Sequence, residues 1–232
     1  MIVTLVAFVN FGFWQLRRHD EKRELRAAVE EAARLPPVAI GDAGDGLYRK
    51  VVATGEYDTG FEVLVLRARE GVSGYHVLTP LRLTDRRVVL VDRGWVPPEF
   101  DRPPVAPARP IEGVLEVTGF LWPSEEGAMP DAMPEVVSRI DTGVLGAFTP
   151  YPLMEPYLLL QSQVPAAPGD LPVPVDPPQV PLGPHLGYAG QWFLFALVVS
   201  VGYPVLLWRT ASSQPSREAR PSRSNTTEDR AS

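Results

Sequence analysis

His185-Leu186-Gly187-Tyr188-Ala189-Gly190-Gln191-Trp192-Phe193-Leu194-Phe195-Ala196 opens a run that stays uncharged as far as Trp208. From Leu186 to Trp208 there are 23 residues without Asp, Glu, Lys or Arg. At about 1.5 Å of rise per helical residue, this run outreaches the ~30 Å hydrocarbon layer of a bilayer. Residues 185–208 are therefore expected to form a transmembrane helix. Arg209, Arg217, Arg220, Arg223 and Arg230 follow in the tail, 209–232. Positive charge flanking a span favours the cytoplasmic side, which makes the tail a disordered cytoplasmic segment and puts His185 at the outer surface.

Working outward, residues 1–16 form a second uncharged run, with a reach of only about 24 Å as a helix. No basic segment precedes it and no small-residue cleavage site follows, which argues against a cleaved signal peptide. The expectation is a first transmembrane helix truncated at its N-terminus; the alternative is a bilayer thinned around a short span. Two spans place both termini on one side and residues 17–184 on the other. That middle segment holds 17 Lys+Arg against 25 Asp+Glu, whereas the tail holds 5 Arg against 3 acids. An acidic domain is a poor partner for nucleic acid, because phosphate binding needs clustered cations. The chain has no cysteine, which removes disulfides, thiol redox chemistry, c-type haem attachment and thiolate metal sites. His19, His76 and His185 are the remaining imidazoles.

Between the runs, Leu25, Ala28, Val29, Ala32 and Ala33 recur at helical spacing, so residues 20–35 read as a helix stopped by Pro36-Pro37. The loop at 40–46 holds two aspartates and lacks a strand-turn-helix setting, so it reads as a turn and not a phosphate cradle. Strand-like runs follow at 47–57, 61–69, 75–83, 87–92, 111–121 and 157–163. Thr59-Gly60 and Thr84-Asp85-Arg86 are short enough to close hairpins. A short helix is expected near 142–148, and 165–184 is Pro-rich and extended. The fold class is thus a membrane-anchored α+β protein: two transmembrane helices bracketing an extracytoplasmic antiparallel β barrel.

Four blocks now carry a resemblance: Gly12-Phe-Trp-Gln-Leu-Arg-Arg18, Gly74-Tyr-His-Val-Leu-Thr-Pro-Leu81, Val89-Leu-Val-Asp-Arg-Gly-Trp-Val-Pro97 and His185-Leu-Gly-Tyr-Ala-Gly-Gln-Trp-Phe193. In order and spacing the chain resembles the Surfeit-locus-one family of cytochrome c oxidase assembly factors from Gly12 to about Trp208. The resemblance implies a non-enzymatic membrane factor that helps to build subunit I of haem-copper oxidase. It also implies handling of haem a, with haem a synthase as a second partner beside subunit I. The chain departs from the family at Gly183-Pro184, where relatives often carry Asn, and in the tail. Lack of an Arg/Ser-rich transit segment favours a bacterial plasma membrane over a mitochondrion.

The residues can be weighed for this chemistry directly. Haem iron takes a neutral imidazole, and its ring needs an apolar wall and cations for the propionates. His185 is the candidate metal ligand, with Tyr188 and Trp192 following at i+3 and i+7 on the same helical face as candidate wall. The plain alternative is a histidine that caps the helix beside an aromatic belt. Arg17 and Arg18 read either as headgroup anchors or as a carboxylate clamp. Gln15 and Gln191 sit where amides commonly bond across two helices. In the barrel, His76 reads as a structural hydrogen-bonder. Arg93 and Trp95 read as a strand end that packs, or as a contact for propionate or headgroup. The Gly71-Val-Ser-Gly-Tyr stretch lacks the second glycine of a nucleophile elbow, and no acid-base carboxylate pair is recognisable.

Overall fold

The computed structural model describes residues 2–44, 46–177 and 180–212. The expected disordered tail lies outside them beyond Ser212; its first four residues, 209–212, continue the helix before it. Two compact units divide the chain: residues 1–21 with 182–232, and residues 22–181.

Helix α1, Ile2–Arg34, runs unbroken through both units. The expected break between a first span and a separate helix at 20–35 does not occur. The reason is local: between Gly12 and Pro36 nothing interrupts the helix ladder, and Arg18–Glu21 at 2.6 Å and Arg26–Glu30 at 2.7 Å are pairs of helical spacing.

In the first unit α1 meets α3, His185–Ser212. The less exposed residues include Leu5, Phe8, Gly12, Gln15 and His19 on α1, with Ala7, Val9 and Leu16 beside them, and His185, Ala189, Trp192, Ala196 and Val199 on α3, with Phe193 beside them. The first five of each set are spaced by steps of three and four, the spacing of one helix face. Phe8 packs on Trp192 and Phe195, Phe11 on Trp192, and Phe13 on Phe193, so the helices run antiparallel. Gly12 permits the closest approach, since a Cβ there would lie 2.6 Å from the Phe193 ring. Among the described residues α3 is the one helix long and apolar enough to cross a bilayer.

The second unit is a closed β-barrel-like sheet. Its strands are β1 (Val38–Ala39), β2 (Lys50–Tyr57), β3 (Val63–Arg69), β4 (Val72–Leu83), β5 (Val88–Val96), β6 (Leu115–Trp122), β7 (Val136–Val137) and β8 (Tyr157–Val164). Strands β2, β6, β8, β5 and β4 close on one another, with β1 flanking β2, and β3 and β7 extending beyond β4. The sheet is not purely antiparallel: β1–β2, β3–β7 and β5–β8 are parallel. The β3–β4 hairpin turns on Glu70 and Gly71, at φ 52° and 82°, the double left-handed turn that matches strand twist. Thr84-Asp85-Arg86 joins β4 to β5 as expected. Thr59-Gly60 does not close a hairpin, because β2 pairs with β4 and β6 and not with β3. There Asp58 accepts from the Gly60 N–H and winds 59–61 into a 3-10 turn.

Alternate residues fill the barrel: Val51, Ala53, Tyr57, Leu81, Leu83, Val89, Val91, Leu115, Val117, Leu121, Leu158 and Leu160 form one buried cluster. The outer faces of β3, β4, β5, β6 and β8 form a second, around Val63, Val65, Leu78, Leu90, Phe120 and Leu159. Helix α2, Thr142–Gly146, covers part of that face with Leu145. Asp141 caps α2 by accepting from the Val144 N–H at 2.9 Å. Val173 in the Pro-rich segment exchanges backbone hydrogen bonds with Trp95, at 2.7 and 2.8 Å. Gly94, at φ 131°, allows this crossing, because a Cβ there would strike the Val173 carbonyl.

Candidate functional site

The sequence candidates fall into separate places, one in the helix pair and two in the barrel unit. His185 heads α3, and its Nδ1 lies 2.8 Å from Gln15 Oε1 on α1. Gln15 is buried, so an amide in the helix seam finds an imidazole as partner, as helix pairing requires. An amide oxygen can only accept, so in this pairing Nδ1 is the donor. That imidazole therefore bonds across the seam rather than to the first N–H groups of α3. A Cβ at Gly183, at φ 68°, would lie 3.2 Å from His185 Nε2. No atom lies within 4 Å of a Cβ built at Gly187 or Gly190.

Other candidates at this end are placed differently. Trp192 is half-buried between Phe8 and Phe11, with its ring 5.6 and 5.0 Å from theirs. Tyr188 is exposed, so it does not share the packed face of His185 as its spacing suggested. Arg17 is exposed; Arg18 is exposed and pairs with Glu21. Gln191 is exposed and takes no part in the seam. His19, four residues after Gln15, has its Nδ1 buried without a hydrogen-bond partner.

In the barrel unit His76 is hydrogen-bonded within the structure, as expected. Its Nδ1 is 2.8 Å from Asp92 Oδ2, and Asp92 is 2% exposed. The other Asp92 oxygen accepts from the Gly94 N–H at 3.2 Å. The pair borders a cleft of about 520 Å³ with Trp95, Arg67, Arg69, Trp122 and Tyr157. Burial pushes the Tyr157 hydroxyl upward, and the nearby Asp92 charge adds to the shift. Trp95 packs over Gly74, where any Cβ would strike its indole ring, so the Gly in Gly74-Tyr-His serves that cover.

Arg93 is the clearest departure from the ligand reading. It is 2% exposed inside the barrel unit, with Nη1 3.5 Å from Glu62 Oε2. It also donates to the Ala108 carbonyl and lies over the Tyr57 ring at 5.2 Å. Its guanidinium is engaged by protein groups and is not offered to a headgroup or propionate at the surface. Glu62 also accepts from the Val105 N–H at 2.8 Å and from Thr79. Burial nevertheless raises the Glu62 carboxyl above its usual range and lowers Arg93. Asp92, Glu62 and Tyr57 were missed by sequence reasoning. A signal existed for Asp92: a charge inside the apolar run Val88–Val96 requires a partner.

Comparison with known proteins places this arrangement. The model of the SURF1 family matches residues 2–197. A SURF1-like protein of Mycobacterium tuberculosis is 33% identical over 217 residues, covering 86% of this chain and 77% of that one. Surfeit locus protein 1 of Takifugu rubripes is 30% identical over 133 residues, 48% of this chain and 55% of that protein. The family match takes in both histidine pairs and nearly the whole described chain, and the chain therefore belongs to the SURF1 family.

Proposed function

We propose that the protein is a non-enzymatic assembly factor for haem-copper cytochrome c oxidase, receiving haem a at His185 for subunit I. In this reading α1 and α3 both cross a bacterial plasma membrane, both termini are cytoplasmic and the barrel is extracytoplasmic. Haem a synthase is the source of the cofactor and subunit I its destination. The observation that carries the proposal is the His185–Gln15 bond, which engages Nδ1 and turns the other ring nitrogen towards Gly183. Orientation of a ligand histidine through its other nitrogen is the usual arrangement at metal sites. Bound there, haem a would supply an iron that an imidazole nitrogen of His185 would hold. Trp192 offers an apolar edge, and Arg17 is an exposed cation on α1. The orphaned His19 Nδ1 marks a polar need within the same unit.

A second reading is favoured by Trp192, whose ring is already packed, and by Tyr188, which stands apart from the seam. Here the helix pair holds an oxidase subunit without touching cofactor. Complementation separates the two. In cells lacking their own copy of this gene, wild type should restore haem a in subunit I. His185→Ala should insert normally but leave subunit I short of haem a. Full restoration by His185→Ala would support the cofactor-free reading instead.

A further inference from the structure

Much of the surface of α3 is exposed, and one side chain on it asks for more than lipid. Gln191 is the one carboxamide in the uncharged run 186–208. It is exposed and makes no hydrogen bond among the described residues. Other polar groups on the helix are satisfied within the chain: His185 bonds to Gln15, and the Ser200 hydroxyl donates to the Leu197 carbonyl. Hydrocarbon offers a carboxamide neither donor nor acceptor. In a bilayer such a group finds its partner on another helix. Helix α1 is not that helix, because the residues that α3 buries, Ala189 and Ala196, lie roughly opposite Gln191 at about 3.6 residues per turn.

The spacing around Gln191 completes a surface. Gly187, Gln191, Leu194, Val198 and Val201 follow one another by steps of four and three, and all five are exposed. This is the pattern of a parallel helix pair, in which one polar residue among apolar ones fixes register and partner number. No atom lies within 4 Å of a Cβ added at Gly187, so a second backbone can approach closely there. Polar complementarity selects the occupant. A carboxamide is donor and acceptor at once, and its full match is another carboxamide at the same depth. A second copy of this chain, inserted in the same direction, presents that group across a two-fold axis. We propose that α3 carries a self-association face, on which two copies pack in parallel with Gln191 against Gln191. The inference rests on the reading of α3 as a membrane span and does not draw on the His185–Gln15 bond.

Cysteine cross-linking of the full-length protein in membrane vesicles tests the face, since the chain has no cysteine of its own. Leu194→Cys on the stripe and Leu197→Cys beside it replace side chains of similar exposure, 55% and 57%. Under mild oxidation Leu194→Cys should form a disulfide-linked dimer and Leu197→Cys should not. Gln191→Leu in the Leu194→Cys background should weaken association by roughly 3- to 30-fold, read from the linked yield against the protein-to-lipid ratio. Insertion should be unaffected, because the change adds apolar surface. Gln191→Asn should retain most of the association. Equal linking at 194 and 197 would overturn the proposal, as would an unchanged yield in Gln191→Leu or a linked product whose mass shows a different protein. Release of the chain from membranes by alkaline carbonate would overturn the membrane reading itself, and this face with it.

Discussion

The two units handle apolar surface in opposite ways. The barrel turns it inward: Leu81, Val89, Val117 and Leu158 are fully buried. The helix pair turns much of it outward, with Leu197, Leu206 and Trp208 at 57%, 57% and 72% exposed. Exposed apolar surface on this scale is found where something other than water covers it. The barrel is therefore stable through its own packing, whereas the apolar surface of α3, the one described helix long and apolar enough to cross a bilayer, calls for cover other than water. Both units also keep polar groups in their seams, and there the dielectric makes each unmade bond costly.

The largest effect should come from breaking the barrel's buried ion pair. Arg93→Met would strand Glu62 as an uncompensated carboxylate and cost about 3–5 kcal/mol at pH 7. The sign with pH is definite. Burial already raises the Glu62 carboxyl, and losing the cation raises it further. The cost is absent below the unfolded value near ~4.3 and grows as pH rises through the folded value. Denaturant unfolding of the variant at pH 4 and pH 7 measures it, and an equal deficit at both would contradict the assignment.

The comparison itself is broken or upheld by a pair of leucines. Leu158→Ala should destabilise the barrel by about 2–5 kcal/mol. Leu206→Ala on exposed α3 should change stability in detergent by less than about 0.5 kcal/mol. Equal losses would mean that α3 packs against protein on its outer face. A smaller effect is expected at the helix contact, where Gly12→Val overpacks the Phe193 ring at about 1–3 kcal/mol. Because the chain lacks cysteine, cysteines placed at Phe8 and Trp192 report the helix contact by cross-linking, which Gly12→Val should reduce.

The smallest effect concerns α2. The Asp141 carboxyl is held below its usual range by the Val144 N–H and then by that of Gly127. A depressed acid stabilises above its unfolded value, near ~3.9, and that support is lost as pH falls through the folded one. Asp141→Ala should cost about 1 kcal/mol at pH 7 and almost nothing at pH 2, read from unfolding midpoints.

How much of this was legible in the sequence depended on range. Runs with one dominant local signal came through: α3 from its uncharged length, and β4 and β5 from β-branched residues between turns. What rested on pairing did not. The two-residue strands β1 and β7 and the parallel β5–β8 contact arise from tertiary placement and have no local pattern. Thr59-Gly60 looked like a hairpin because loop length was read as pairing, whereas Asp58 winds it into a helical turn. The break expected in α1 took a change from uncharged to charged residues for a change of structure, since Arg17 and Arg18 are good helix formers. At the sites, His185 and Gln15 were each legible as polar groups near helix ends, but their bond was not. His76 was legible as a structural hydrogen-bonder but its partner was not, because Asp92 is 16 residues away in sequence and meets it only across the β4–β5 ladder.

The proposed role of His185 as a ligand oriented by Gln15 is the reading on which the assembly function rests. It is tested most directly by haem stoichiometry on the purified full-length protein after expression with a haem a supply. Wild type should carry a Soret-absorbing haem that His185→Ala loses without loss of membrane insertion. His185→Met should retain haem with a shifted spectrum, because methionine can also serve as an axial ligand. A His185→Ala protein carrying the wild-type amount of haem a, with an unshifted Soret band, would contradict the account.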